Sequence, residues 1–294
     1  SATTIETSVS VFEFGLASCV DDNDVIHVFW ASETDGVWHA DNSGGTWSKE
    51  KIVETSESRE ALEAVNIPYD QQYVVMHNAT DGDIEYWFGT TGSWSPGGQI
   101  GMDNLADDAN FSAYVDEIGR IGLLYSRAAD GYLRFAEYDD GFNTPETVDA
   151  STGSTNDITR WLDEWHIVRL NGISDLEYYK GTTGSFGSAE SLSTNTNIEP
   201  QITSDGQDLQ IIYGDDTEDV TKRQLGESGS FSEATFGAKF GKSSSIARET
   251  GNIAHTLFAF EQNGTEDLIV YEDTVEVETT QSTDTTSGDA DTEI

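Results

Sequence analysis

The sequence has a single cysteine, Cys19, which excludes an internal disulfide framework and any cysteine-rich zinc site. Cations are scarce too: 14 Lys and Arg stand against 55 Asp and Glu, a formal net charge of −41. A surface of that sign repels phosphate and anionic lipid, so neither nucleic acid nor membrane insertion is expected. No apolar run approaches the ~18 residues of a membrane-spanning helix. Helical periodicity is almost missing; only SREALEAV (58–65) has the composition for a helical turn or two.

Aromatic residues are plentiful, at 11% with 7 Trp, 11 Tyr and 13 Phe. Disordered chains are poor in such residues, so the body of the chain is expected to fold. Its 294 residues exceed one ordinary domain and fall short of three. The acidic excess runs through the whole body, with six lysines in all. At ordinary ionic strength so many like charges oppose compaction, whereas in molar salt the Debye length falls to about 3 Å and the repulsion fades. This composition resembles proteins of extremely halophilic archaea and their viruses; an acidic secreted bacterial protein is the alternative. The first residues, SATTIETS, leave two origins open, a cleaved leader or a trimmed methionine.

A glycine-containing turn before an aromatic recurs along the chain: NSGGTW ends at Trp47, TTGSW at Trp94, YDDGF at Phe142, TTGSF at Phe186 and ESGSF at Phe231, at intervals of 47, 48, 44 and 45 residues. A second ladder, Asp21, Asp70, Asp116, Asp163, Asp205 and Glu249, sits in polar turns before the apolar runs VIHVFW, YVVMH, IGLLY, WHIVRL, LQIIY and IAHTLF. Each unit therefore holds about four short strands, A to D. Units of 40–50 residues with four strands predict an all-β fold, a β-propeller of six four-stranded antiparallel blades. The propeller is expected over 1–280, with blade centres at 17–55, 64–103, 112–150, 157–194, 199–239 and 244–273. The N-terminal strand IETSVSVFEF (5–14) is expected to close the last blade, with VEVETT (275–280) as the competing strand. Residues 281–294 read as an acidic polar tail through which other virion or surface-layer subunits are expected to attach.

The first unit, VIHVFWASETDGVWHADNSGGTWSKEKIV, resembles a sialidase-type Asp-box (BNR) repeat, with Gly44, Thr46 and Trp47 matching and Ala40 and Asn42 replacing its Ser and Asp. Only the glycine-aromatic core persists at Gly92–Trp94, Gly184–Phe186 and Gly229–Phe231. The blade lengths and Trp/Tyr-rich strands are also similar to those of six-bladed fucose-binding lectins. The sialidase resemblance implies that the B–C loops and D–A connections form the functional face. It also implies three carboxylate-binding arginines, for which Arg59, Arg160 and Arg248, near A strands of alternate blades, are the candidates. No arginine precedes Arg59, where that family's first is expected.

Other candidate ligand-binding residues come from chemistry. Arg127 and Tyr132 flank the loop SRAADGY and pair a planar multidentate donor with a stacking ring. Trp161 and Trp165 bracket the fourth A–B turn; the competing reading packs such aromatics between blades. The five histidines have no zinc spacing. No cofactor is expected, although DNLADDAN (103–110) and YGDDTED (213–219) hold oxygen ligands suited to Ca²⁺. Asn78, Asn110 and Asn263 begin glycosylation sequons. Together these features predict a non-enzymatic recognition module, extracellular or on a virion, that binds a glycan or host surface structure. A sialidase-type hydrolase and a purely structural assembly protein are the alternatives.

Overall fold

The computed structural model describes residues 11–33, 35–54, 59–67, 71–101, 111–151, 153–172, 175–194, 196–204, 208–215, 220–227, 229–238, 240–248, 255–262, 268–274 and 279–284, with Ile5 and Glu218 besides. The chain forms two compact units, Ser1–Ser154 and Thr155–Ile294. Strands dominate both.

In the first unit, β1 (Val11–Val20), β2 (Ile26–Ser32), β3 (Gly36–Asp41) and β4 (Ser48–Val53) form one antiparallel meander. A second comprises β5 (Arg59–Ile67), β6 (Gln71–Asn78), β7 (Asp83–Thr90) and β8 (Ser93–Gly101), and a third β9 (Phe111–Val115), β10 (Ile121–Ser126), β11 (Leu133–Tyr138) and β12 (Glu146–Asp149). In the second unit the fourth meander is β13 (Gly153–Trp161), β14 (Glu164–Asn171), β15 (Leu176–Thr182) and an outer strand in two pieces, β16 (Ser185–Phe186) and β17 (Glu190–Ser193). The fifth is β18 (Thr196–Ser204), β19 (Leu209–Asp215), β20 (Val220–Gly226) and β21 (Ser232–Ala238). The last is β22 (Phe240–Arg248), β23 (His255–Gln262), β24 (Leu268–Thr274) and β25 (Thr279–Asp284).

Three expectations change. The meanders make five hydrogen-bonded sheets rather than six, because a parallel bridge, Phe14↔Ala61, joins the first two into one eight-stranded sheet. The N-terminal strand does not close the last blade: residues 11–14 begin β1, which pairs with β2 at Val11↔Ser32. The last blade is completed by β25, which runs antiparallel to β24 from Asp273↔Thr279 to Leu268↔Asp284. That strand takes in residues 281–284, the start of the expected tail; 285–294 lie outside the described residues, as do 275–278. Finally, the SREALEAV segment is strand β5 where described, not helix. Both faces of this strand are covered. Ala61 and Val65 pack with the third blade's Phe111, Ile121 and Leu123, while Leu62 and Ala64 pack with the first blade's Phe29, Ala31 and Val37.

The recurring turn holds neighbouring blades together. It reads GTTGSW from Gly89, GTTGSF from Gly181 and GESGSF from Gly226. At the first glycine of Gly89–Trp94 a Cβ would collide with the Ser93 carbonyl, and the second, Gly92, adopts φ +79°, a left-handed conformation suited to glycine. The aromatic then meets an aromatic on the preceding blade's third strand. Trp94 lies edge-on to His39, Phe142 to Tyr86 and Phe231 to Tyr178, each at 5.1 Å between ring centroids. A glutamate on the preceding outer strand grips the turn. Glu50 accepts the Gly92 N–H at 2.9 and 3.0 Å and the Trp94 Nε1–H at 2.9 Å. Glu190 accepts the Gly229 N–H at 3.2 and 3.1 Å.

Candidate functional site

In the first five blades the second and third strands are joined by a short connection, the B–C turn. Two ladder steps back from it, five blades carry equivalent cross-strand pairs: Trp30↔Trp38, Met76↔Glu85, Tyr125↔Arg134, Arg169↔Glu177 and Tyr213↔Lys222. In a chain with 14 basic residues, three of these positions hold cations and a fourth is flanked by two lysines. Lys49 and Lys51 lie 5.4 and 5.9 Å from the Trp38 ring centroid.

The third blade offers the most open of the charged sets. Gly131, at φ +70°, lets the hairpin turn tightly, and the Gly131 N–H donates to the Arg127 carbonyl at 2.7 Å. The loop brings the Asp130 carboxylate between two guanidinium groups. Arg127 donates Nε–H to Asp130 Oδ1 at 3.1 Å and a second bond from Nη2 to Oδ2, while Arg134 Nη2 lies 3.6 Å from Oδ2. The Tyr132 N–H donates to Asp130 Oδ1 at 3.0 Å, and the Arg134 guanidinium sits 5.9 Å from the Tyr132 ring centroid. Arg127 holds the Asp130 carboxyl down at about 2, with the Tyr132 N–H and Arg134 acting in the same sense. The Arg127 side chain is 29% exposed and the Arg134 side chain 15%, with the Arg134 Nε buried. The set is an aromatic face beside fixed, ionised donors and an acceptor, which is the chemistry that holds a saccharide ring and its hydroxyls.

The equivalent sets in the second unit are closed. Arg169 donates to Glu177 at 3.1 Å, Asn171 and Tyr179 donate to the same carboxylate at 3.0 and 2.8 Å, and the Arg169 side chain is 1% exposed. Lys222 is held by Asp215, Glu218 and Glu233 at 2.8, 3.1 and 3.2 Å. Burial works against this ammonium, but the three carboxylates hold it well above its ordinary range.

Of the residues singled out from sequence, Arg127 and Tyr132 come together. Arg160 and Trp161 lie at the other end of their blade, beside the A–B turn. Arg160 stacks 4.8 Å from the Trp165 ring centroid and donates to the Asp163 carbonyl at 3.0 Å. Trp161 packs on the core shared by the fourth and fifth blades, and its carbonyl accepts from His166 Nε2 at 3.0 Å. Arg59 stands opposite Asn78 on the β5–β6 ladder and Arg248 opposite Thr256 on the β22–β23 ladder. Asn78 is buried, its side chain turned back onto the Thr80 N–H and Asp81; Asn110 and Asn263 lie outside the described residues. Arg134, Arg169 and Lys222 escaped the sequence reading because they sit inside strands, Arg134 on β11, Arg169 on β14 and Lys222 on β20, although a cation within a strand of so acidic a chain was a visible signal. Among the described residues no group of three or more His, Cys, Asp or Glu could hold a metal. The loop 103–110 lies outside the described residues, and in 213–219 the Asp215 carboxylate is bound to Lys222.

No family model matches the chain, the Asp-box family included. No curated protein matches it either. Solved structures do. The SapL1 lectin in complex with α-methyl fucoside is similar at TM-score 0.61 and 14% identity over 94% of this chain and 96% of that one. A variant of the Aleuria aurantia lectin AAL in complex with Fucα1-6GlcNAc gives TM-score 0.61 and 12% identity over the same shares. AofleA from Arthrobotrys oligospora gives 0.59 and 11% over 94% and 89%. The chain has a β-propeller fold. The fucose-binding lectins among the similar structures share this architecture.

Proposed function

We propose that the chain is a non-enzymatic glycan-recognition module whose most accessible binding set is Arg127, Asp130, Tyr132 and Arg134. The observation that carries this reading is the convergence of two guanidinium groups, one carboxylate and one tyrosine ring at an open hairpin end. Support comes from the lectin fold, and fucosides are the first ligands to try because the similar lectins were solved with them. A place outside the cell, on a halophile's surface or as a viral attachment protein, accords with the −41 charge.

The test is a glycan array in molar salt, followed by calorimetry on the strongest hit. Arg127→Ala combined with Tyr132→Ala should weaken binding at least tenfold, or about 1.4 kcal/mol, with an unchanged far-UV spectrum. Undiminished binding by the folded double variant would remove this site.

A further inference from the structure

A chain of four ionisable side chains crosses the first blade and reaches the second through the turn that Glu50 grips. Asp21 Oδ2 lies 3.3 Å from His27 Nε2, His27 Nδ1 lies 2.9 Å from His39 Nε2, and His39 Nδ1 lies 3.1 Å from Glu50 Oε1. The histidines are 3% and 0% exposed. We propose that this chain is a proton-loaded lock between the two blades, complete only when three protons fill its three gaps, so that the junction is firm in mild acid and loosens above neutral pH.

The argument is a count of protons. Both ends of the chain are acceptors. Glu50 already accepts the Gly92 N–H and the Trp94 indole N–H, and Asp21 accepts the N–H groups of Asn23 and Val25, each at 2.9 Å. The outer nitrogens, His27 Nε2 and His39 Nδ1, must therefore carry hydrogens to bond with them. Two neutral imidazoles have no hydrogen left for the middle gap, and two bare nitrogens would face each other across 2.9 Å. Moving a hydrogen to the middle strips one end instead. A third proton satisfies all three contacts. The third proton is assigned to His27, which contacts Asp21 and stands opposite Asp41 on the ladder, whereas burial, opposed by the Glu50 hydrogen bond, pushes His39 down. His27 then donates to both Asp21 and His39.

The surroundings favour that cation. From β1 comes Cys19, whose thiol burial pushes up to about 12 and keeps neutral, and from the turn after it Asp21. From β3 comes Asp41, which despite its burial is held below its ordinary range by Ser43 and Thr91. From β4 comes Glu50. The second blade contributes the uncharged turn Thr91–Trp94 and, from β5 and β6, Leu62, Val74 and Met76. Lys49 and Lys51 are turned to the Trp38 ring.

The fourth and fifth blades supply an internal comparison. His166 and Tyr178 occupy the positions of His27 and His39, each three residues before and one residue after the pair at the ladder step described above. There the Tyr178 hydroxyl lies 2.6 Å from His166 Nδ1, and His166 Nε2 lies 3.0 Å from the Trp161 carbonyl. A neutral histidine with its hydrogen on Nε2 satisfies both contacts, so no additional proton is called for.

The test uses the full chain at one fixed molar salt concentration. With ¹⁵N-labelled histidine, long-range ¹H–¹⁵N spectra at pH 6 should show His27 protonated on both nitrogens, His39 on Nδ1 and His166 on Nε2. His39→Tyr copies the second junction and should remove the extra proton. Above neutral pH the wild-type unfolding constant should then rise relative to His39→Tyr, by up to about tenfold per pH unit for one proton. The sign follows from linkage. The folded chain holds a proton that an unfolded imidazole releases near its ordinary value of about 6.5, so stability is complete below that pH and is lost as pH rises through the lock's own titration. Spectra in which both histidines stay singly protonated from pH 6 to 8 overturn the proposal, as do parallel stability profiles for the two proteins. If His39→Tyr does not fold, the wild-type spectra alone decide.

Discussion

His166 titrates in the opposite sense to the lock it resembles. Burial pushes it down to about 4, so between that value and the ordinary imidazole range of about 6.5 the unfolded chain holds a proton that the folded chain refuses. Its contribution is whole above about pH 6.5 and is lost as pH falls towards 4. A glutamine offers the same acceptor and donor to Tyr178 and Trp161 without titrating. His166→Gln should therefore lose less stability than wild type between pH 7 and pH 4.5, measured by chemical denaturation in one salt; equal losses would mean that the buried imidazole does not couple to folding. At this scale Arg127 and Tyr132 were legible because one short loop holds both. Arg134 was passed over, although a spacing of two residues in extended chain puts it on the same face as Tyr132. For Trp161 the sequence left a binding role and inter-blade packing open, and the ring packs onto an inter-blade core.

The repeated turn is the element on which the blade junctions depend, and each of its parts has a distinct task. One glycine permits close backbone approach, the next supplies the left-handed bend, and the aromatic fills a socket on the preceding blade. Trp94→Ala or Phe231→Ala should cost about 3 kcal/mol of stability, read from urea or thermal unfolding, by removing a ring packed between blades. Neither change should alter glycan affinity in protein that remains folded, since both rings lie at the ends of the blades away from the B–C hairpins. This turn was plain in the sequence because its spacing is kept and glycine is required. Strand β5 was not, because a strand covered on both faces shows no alternation, and its Glu, Ala and Leu are ordinary helix formers overruled by packing. Strand β25 was missed for the opposite reason. Its residues, TTQSTD, bury no apolar pattern, and it joins the sheet through backbone pairing.

Across the whole molecule the dominant quantity is charge. With −41 on 294 residues, folding brings like charges together, and dissolved salt is what screens them. Transfer from molar to ~0.1 M salt should lower the thermal midpoint by calorimetry; an unchanged midpoint would separate the acidic composition from any need for brine. The topology has a consequence for biosynthesis. Every meander, the last included, draws its strands from one uninterrupted stretch of roughly 45 residues, so none borrows a strand from a distant part of the chain. As the polypeptide leaves the ribosome, each meander can pair its own strands before the next has been translated, and the edge of β1 waits only for β5, the first strand of the meander that follows.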